Sequence, residues 1–438
     1  MFRVIERKGR FPQRGLPVPV LIKDGWDDFG FKTQYGLAYV NESSEQTHIG
    51  SVKILKKGQE ETFESLLVED IEDLDENYCS IGQSLDYYEH LAELGPKVRD
   101  EILSGLRDVV LYPEIAAEFE NEKGWGASLF RDIPDREQFI LLARSLLSGD
   151  YTTLPADDLS FTFKTSAVEE ELIFDFSAPK LRVRRGFFSE FTSAIPSRVC
   201  VLIGRNGSGK STLLARLARV AHGSTGSRAH APLIHLGEIS PAGIGFPRVL
   251  TISYSAFDSF RLPGVTREEQ EQIVRDIERG EGRFIFCGLR DIAEELKQEL
   301  AQVSPDYQEI DERNVIAVDQ DRLRHNLLKP VEKLAEEFER TLDRIAKKGR
   351  EEVFDHVLEK LFSDPSFNDQ RGLGLQQLKD GNPRQTFLTW STGHKIVMQI
   401  VSRGCKNFCV NGHSAGNCHI ARSDDDRRKE SCTQGVAG

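Results

Sequence analysis

The sequence predicts an α/β fold, and three observations carry that prediction. Val201-Leu202-Ile203 is an apolar strand that runs into a glycine-rich turn and then into the helical run Leu213-Leu214-Ala215-Arg216-Leu217-Ala218. Phe29, Phe31, Thr33, Tyr35, Leu37 and Tyr39 fall on alternate positions, the period of a strand with one buried face. Val331, Leu334, Ala335, Phe338, Leu342 and Ile345 recur at three- and four-residue steps, the period of a packed helix. At 438 residues, with 39% hydrophobic and 29% charged side chains, the chain has material for two or three domains with cores of their own.

Residues 1–150 read as an N-terminal mixed β/α module, β first and α after. The alternating run from Phe29 is followed by the turn Asn41-Glu42-Ser43-Ser44-Glu45 and a returning strand from His48 to Leu55, which together make a hairpin. The acidic stretch Glu69-Asp70 through Asp75-Glu76 reads as a solvated face. Its carboxylates lack the spacing and the turn glycine of a calcium loop. A helical region from Leu85 to Leu111 follows. The module holds no catalytic constellation, so its expected role is recognition of a partner or substrate.

The chemistry concentrates at Gly204-Arg205-Asn206-Gly207-Ser208-Gly209-Lys210-Ser211-Thr212, which fits G-x-x-x-x-G-K-[ST] at every fixed position. A triphosphate has to be wrapped by backbone N–H groups, and side chains on the loop would block that approach, hence the glycines. Lys210 is expected to reach the β- and γ-phosphates, and Ser211 to hold Mg²⁺ through its hydroxyl. The helix that starts there points its positive end at the anion. ATP with Mg²⁺ is the expected ligand.

Residues 151–401 are assigned to one unit around this loop. Phe161-Thr162-Phe163 and Leu172 to Phe176 read as short strands, with further strand-like sequence at Leu181 to Phe188 and Arg198 to Ile203. Thr266 to Arg279 and Leu289 to Val303 read as helices of a compact lobe. Much later, Trp390-Ser391-Thr392-Gly393-His394-Lys395 opens another helix, whose apolar face is expected from Ile396, Val397, Ile400 and Val401. A Ser hydroxyl and Gly N–H groups at a helix start form a second anion site, although the same residues also suit an ordinary N-cap. With the upstream loop, Ser391-Thr392-Gly393-His394 is similar to a signature motif. On these two motifs the chain resembles the ABC-type AAA-like ATPases of the SMC, RecF and OLD group, bacterial ATP-binding proteins of DNA repair and anti-phage defence.

The resemblance implies a P-loop ABC-ATPase-like head with an antiparallel β subdomain and a helical lobe, preceded by the β-then-α module. It also implies that the signature of one head contacts the γ-phosphate held by another, so that nucleotide drives head dimerisation. With 180 residues between Ser211 and Ser391, there is no room for the long coiled-coil arms of the SMC-type members. Where the family places its Q-loop, at the end of Leu250 to Asp258, no glutamine stands; Ser255 or Asp258 is expected in that role.

In the family an apolar strand ending in Asp-Glu follows the signature helix and supplies the Mg²⁺-supporting Asp and the water-polarising Glu. No such segment follows Val401 here, so the chain is expected to bind nucleotide without hydrolysing it. Three readings of residues 402–438 stand side by side. Cys405, Cys409, His413, Cys418 and His419 offer soft ligands for zinc, without a tight C-x₂-C pair. A disordered regulatory tail is the second. The third, preferred because helix-period sequence gives way to Cys, Gly, Ser and Arg, is a shifted reading frame near Val401 that truncates the protein before the Asp-Glu strand.

A rival P-loop reading uses Val315-Ile316-Ala317-Val318-Asp319, with Asp319 supporting Mg²⁺. The net charge of −13 disfavours an evenly basic nucleic-acid coat. No run approaches membrane-spanning length and the first residues lack an apolar leader, so a cytoplasmic location and no membrane partner are expected. The expected partners are a second copy or a full-length relative, bound through the heads, together with DNA or an effector protein. The alternative function is a scaffold that clamps a protein partner while nucleotide is bound.

Overall fold

The computed structural model describes residues 1–61, 66–67, 69–150, 160–165, 171–176, 200–225, 227–229, 231–302, 321–323, 326–370 and 372–407. Within them the protein is a mixed α/β structure with one mixed sheet, one antiparallel sheet, one parallel strand pair and many helices.

The first sheet follows chain order: β1 (Arg3–Ile5), β2 (Val18–Lys23), β3 (Gln34–Val40), β4 (Gln46–Lys56) and β5 (Tyr78–Gly82). β1 runs parallel to β2 and the other pairs are antiparallel. The β3–β4 hairpin is the expected one, closed by Asn41, whose side-chain oxygen accepts from the Ser43 and Glu45 amides at 2.9 Å each.

The strand expected from Phe29 begins only at Gln34. Phe29 lies at φ 54° and exposed, in a turn fixed from below: Asp28 is buried and takes Lys53 Nζ at 2.7 Å and Trp26 Nε1 at 2.9 Å. The alternation then slips at a bulge between Leu37 and Ala38, so Leu37, Ala38 and Val40 are buried while Tyr39 is half-buried.

Four helices follow: α1 (Leu85–Glu93), α2 (Pro96–Gly105), α3 (Ala116–Phe119) and α4 (Arg136–Ser148). The expected single helical region breaks at Gly95, which takes φ 88° ahead of Pro96. Leu55, Ile81, Leu91, Leu103, Phe119 and Leu146 lie in one core between sheet and helices. The acidic stretch is largely exposed, as read. Its Asp70 nonetheless pairs with Arg3 and accepts from the Val4 amide at 2.8 Å, which pins β1.

The second half opens with β6 (Ser160–Lys164) and β7 (Leu172–Asp175), followed by α5 (Lys210–His222), α6 (Ala231–Leu236), β8 (Glu238–Ser240) and β9 (Val249–Ser253). Then come α7 (Arg267–Arg279), β10 (Phe284–Gly288) and α8 (Ile292–Gln302). β7, β6 and β8 form an antiparallel sheet, and β9 pairs in parallel with β10. Thr266 caps α7 in a reciprocal capping box with Glu269.

One expected strand is missing. Val201–Ile203 joins no sheet among the described residues, and Val201 and Ile203 are 70% and 93% exposed. Leu202 alone packs onto the cluster around α5. A strand needs a backbone partner on at least one side, and none of the described strands lies beside this one. The strand-like stretch Leu181 to Phe188 and Arg198 itself lie outside the described residues.

The last part is helical: α9 (Val331–Lys347), α10 (Glu351–Leu361), α11 (Leu375–Asp380), α12 (Pro383–Thr389) and α13 (Thr392–Asn407). Of the predicted stripe, Leu334, Ala335, Phe338, Leu342 and Ile345 are buried, and Phe338 meets Phe387 and Trp390 at ring distances of 5.1 and 5.5 Å. Val331, in the first turn, is exposed.

α13 passes Val401 and ends at Asn407. Its buried face is Met398, Gln399, Ser402, Cys405 and Lys406, whereas Ile396, Val397, Ile400 and Val401 are half-buried. The helical pattern therefore outlasts the point where the apolar residues stop, because a Ser, a Cys and a Lys stem continue the buried side at helical spacing. Burial, with Arg344 and Lys348 nearby, pushes the Lys406 ammonium down to about 7, and it donates to the Gly280 carbonyl.

The two halves meet on α1. Asp86 takes Arg283 at 2.9 Å, Glu89 takes Arg248 at 2.6 Å, Glu93 takes Lys348 at 2.8 Å and His90 meets Asp276 at 3.1 Å. No helix of the described residues is long and apolar enough to cross a membrane.

Candidate nucleotide-binding site

The glycine-rich turn is positioned by α5. The helix holds because Leu213 and Val220 bury one side against Phe163, Leu233 and Ile239. Ahead of it the chain turns back on itself at Gly207 and Gly209, with φ of 81° and 83°, values that side chains disfavour. Ser208 N donates to Arg205 O at 3.2 Å, and Leu213 N to Gly209 O at 2.8 Å, so the first hydrogen-bonded turn of the helix closes on the loop.

The residues Arg205, Asn206, Gly207, Ser208, Gly209 and Ser211 are exposed, and Lys210 and Thr212 are half-buried. Lys210 Nζ donates to the carbonyls of Gly204 and Arg205 at 2.8 Å each and lies 3.5 Å from Ser208 Oγ. One ammonium group is thus held across the loop, beside the unpaired first-turn amides of a 13-residue helix. The exposed loop, the ammonium of Lys210 and the start of α5 thus lie together, the elements that an anion site needs. The donor set of Ser211 hydroxyl and Lys210 ammonium suits a phosphate with its divalent cation.

Next to it lies a cavity of about 440 Å³ between α5 and the β9–β10 pair, lined among others by Leu214, Leu217, Thr251, Phe284 and Phe286. The cavity also takes Ser211 and Asp258 into its wall. Asp258 accepts from Ser253 Oγ at the end of β9. Ser255, the other residue considered for this place, is exposed and spends its hydroxyl on the Phe257 amide at 3.2 Å. The structure therefore brings Asp258, and not Ser255, to the wall shared with Ser211. Asp321 is engaged elsewhere: it takes Arg216 of α5 in a two-pronged pair at 2.8 and 2.7 Å.

Ser391, Thr392 and Gly393 are exposed at the start of α13. Ser391 Oγ accepts from the His394 amide at 3.3 Å, so the serine does cap the helix. Lys395 Nζ closes the preceding turn through the carbonyls of Leu388 and Trp390, at 3.0 and 2.6 Å. His394 turns away: its ring lies 4.5 Å from that of Phe367, tilted by 35°, and Nε2 donates to Ser366 O at 2.9 Å. α13 packs in the core of Leu342, Phe354, Phe387 and Trp390, whereas α5 packs in that of Phe161, Phe163 and Leu233. The loop and the Ser391 turn thus rest on different cores.

Cys405, offered for zinc, is buried within the helical core; Cys409, His413, Cys418 and His419 lie outside the described residues, as does Asp319. Among the described residues no cluster of His, Cys, Asp and Glu has the makings of a metal site.

Sequence reasoning missed Tyr254. It follows β9 directly, and its hydroxyl reaches both β10 and α13. The only sequence signal for it was its place at the end of a strand that precedes the expected sensing loop.

No protein-family model matches the chain, and no solved structure does. It is similar to Protein ea59 of Escherichia phage lambda, with 30% identity over 298 residues, 67% of this chain and 52% of that protein. The chain thus spans about half the length of the curated relative it matches.

Proposed function

We propose that this protein binds ATP with Mg²⁺ at the loop Gly204 to Thr212, and that bound nucleotide brings two heads together through the Ser391-Thr392-Gly393 turn. The carrying observation is Lys210, held on the Gly204 and Arg205 carbonyls at the mouth of a loop with two left-handed glycines. When bound, the triphosphate supplies the negative charge that this cluster of donors matches, and Mg²⁺ shields its oxygens. Lys210 and the loop amides would hold the β- and γ-phosphates. Ser211 would hold the metal, with Asp258 on the same wall.

The signature turn stands exposed on a separate core from the loop, and this favours a pairing between copies over closure within one chain. His394 contributes through Phe367 and Ser366, as a support for the turn. The work proposed to be coupled to pairing is on DNA or an effector protein, in repair or defence, a reading that rests on the resemblance of the two motifs.

Hydrolysis is the part left out. Binding and clamping need only the loop and the Ser391 turn, so the chain is proposed to clamp without turning nucleotide over at ordinary ATPase rates. Titration with ATP and Mg²⁺ by calorimetry tests the reading. Binding by the wild type, weakened at least about tenfold in Lys210→Ala, is expected, because the lysine supplies a charge-assisted contact of about 1.5–3 kcal/mol. Equal affinity in the two proteins overturns the site, and steady ATP turnover that Lys210→Ala abolishes overturns the non-hydrolysing form.

A further inference from the structure

We infer that Tyr254 is a positioning residue that ties the signature turn to the nucleotide loop. The inference rests on the nucleotide reading above and adds to it a link between the two anion sites.

One hydroxyl joins three elements. Tyr254 stands immediately after β9, and its Oη donates to Gln399 Oε1 of α13 at 2.9 Å. The same oxygen lies 3.1 Å from Cys287 Sγ of β10 and 3.5 Å from Ile396 O of α13. Cys287 and Gln399 are both buried, so the contact is shielded from competing water. A phenol hydroxyl gives one proton and accepts through its lone pairs, and here it donates to the amide oxygen and receives the thiol.

On one side of Tyr254 the preceding residue, Ser253, holds Asp258 on the wall shared with Ser211. On the other side, Gln399 lies eight residues after Ser391 on the same helix, about 12 Å along its axis. A rigid helix carries a displacement at Gln399 to its first turn. The β9 end therefore faces the nucleotide loop and holds α13 through a single side chain. α13 has other anchors at both ends. Arg403 takes Glu337 at 2.8 Å and Lys406 takes Gly280 at the far end, while His394 on Ser366 and Lys395 on the Leu388 and Trp390 carbonyls tie the near end to the helical core. Tyr254 is the tie that comes from the end of β9. Loss of the phenol hydroxyl leaves those anchors and removes the tie between α13 and the end of β9.

Hydrogen exchange of the peptide spanning 391–400, with and without ATP and Mg²⁺, reads the link in the full chain, alongside calorimetry of nucleotide binding. In the wild type, ATP is expected to slow exchange in this peptide. In Tyr254→Phe, which removes one oxygen, ATP affinity is expected to stay within about threefold while the ATP-dependent slowing falls at least about fivefold, the lower end of typical coupling.

Gln399→Met removes the acceptor from the other side and is expected to do the same, which guards against a fold defect peculiar to either variant. A merely structural role would speed exchange equally with and without nucleotide and leave the difference intact. Variants that bind ATP and keep the full difference overturn the link alone. A wild type that binds no ATP overturns the nucleotide reading, and the inference with it.

Discussion

The N-terminal module and the loop-bearing unit are built on opposite terms. In the module five consecutive strands are hydrogen-bonded to neighbours, and Leu37, Val52, Ile54, Leu55, Leu103 and Phe119 are fully buried. In the loop-bearing unit the sheets are of two and three strands, and Val201, Ile203, Leu214, Ile252 and Phe257 are exposed. An apolar side chain of this size left in water forgoes about 1.5–3 kcal/mol of burial. Among the described residues the module gathers its buried side chains into one main core, whereas the loop-bearing unit divides its own among three separate clusters and meets the module at the charged face of α1. Substitutions in the continuous core and on the exposed apolar residues should therefore differ sharply in their effect on stability.

The widest separation is expected from two phenylalanines. Phe119→Ala empties a fully buried position under Lys57 and should lower unfolding free energy by about 3–5 kcal/mol. Phe257→Ala removes a ring that is 87% exposed and should stay within about 0.5 kcal/mol. Denaturant titration of the pair measures both. A large loss at Phe257 would mean that the loop-bearing unit hides more core than its exposures say.

A smaller effect is expected where the halves meet. Glu89 is buried and takes Arg248 through both carboxylate oxygens, at 2.6 and 2.8 Å. Glu89→Gln keeps the shape and removes the charge, and should cost about 1.5–3 kcal/mol, the worth of a hydrogen bond to a charged group. If the module and the loop-bearing unit unfold as one, the melt stays single and shifts down. If α1 is the weak seam, the same change splits it into two, the loop-bearing unit first.

The sequence made the local chemistry legible and the pairing less so. α5, α7 and α9 were readable from spacing, and Thr266 with Glu269 announced the start of α7. The loop was readable because the motif it fits demands specific residue types at fixed steps.

Phe29 misled because alternation says nothing about a turn fixed from a distance, here by Lys53 beneath Asp28. Val201 to Ile203 misled because strand propensity is local while a strand's existence depends on a neighbour. α1 hid its role for a related reason: its helical pattern says nothing of the charged partners from the second half of the chain that claim Asp86, Glu89, His90 and Glu93. At the candidate site the loop and Ser391 were visible, whereas Tyr254 was not, because its partners lie 33 and 145 residues away.

The gentlest way to sharpen the contrast is pH, because two histidines at the seam are shifted in opposite directions. Burial alone would push His90 down, but the hydrogen bond and charge of Asp276, then Asp86 and the Ile49 carbonyl, hold its imidazolium up to about 9. Burial pushes His222 the other way, down to about 4, against Asp86 at 3.8 Å.

The signs follow from which form each fold prefers. His90 is protonated more readily folded than unfolded, so its contribution is complete below the ordinary value of 6.5 and is lost as pH rises toward about 9. His222 is protonated less readily folded, so its contribution is complete above 6.5 and is lost as pH falls toward about 4. Together they place the seam's best pH near 6.5, with a falling limb on each side. Lys406, pushed down to about 7, and Asp108, pushed up to about 7, slope the opposite way over the same range, so the two limbs are read as the difference in thermal midpoint between wild type and each histidine variant. His90→Gln should flatten the alkaline limb and leave the acid limb, and His222→Gln the reverse. An alkaline limb that survives His90→Gln would mean that the pH sensitivity arises elsewhere than at α1, and that the two halves are held by packing more than by these charges.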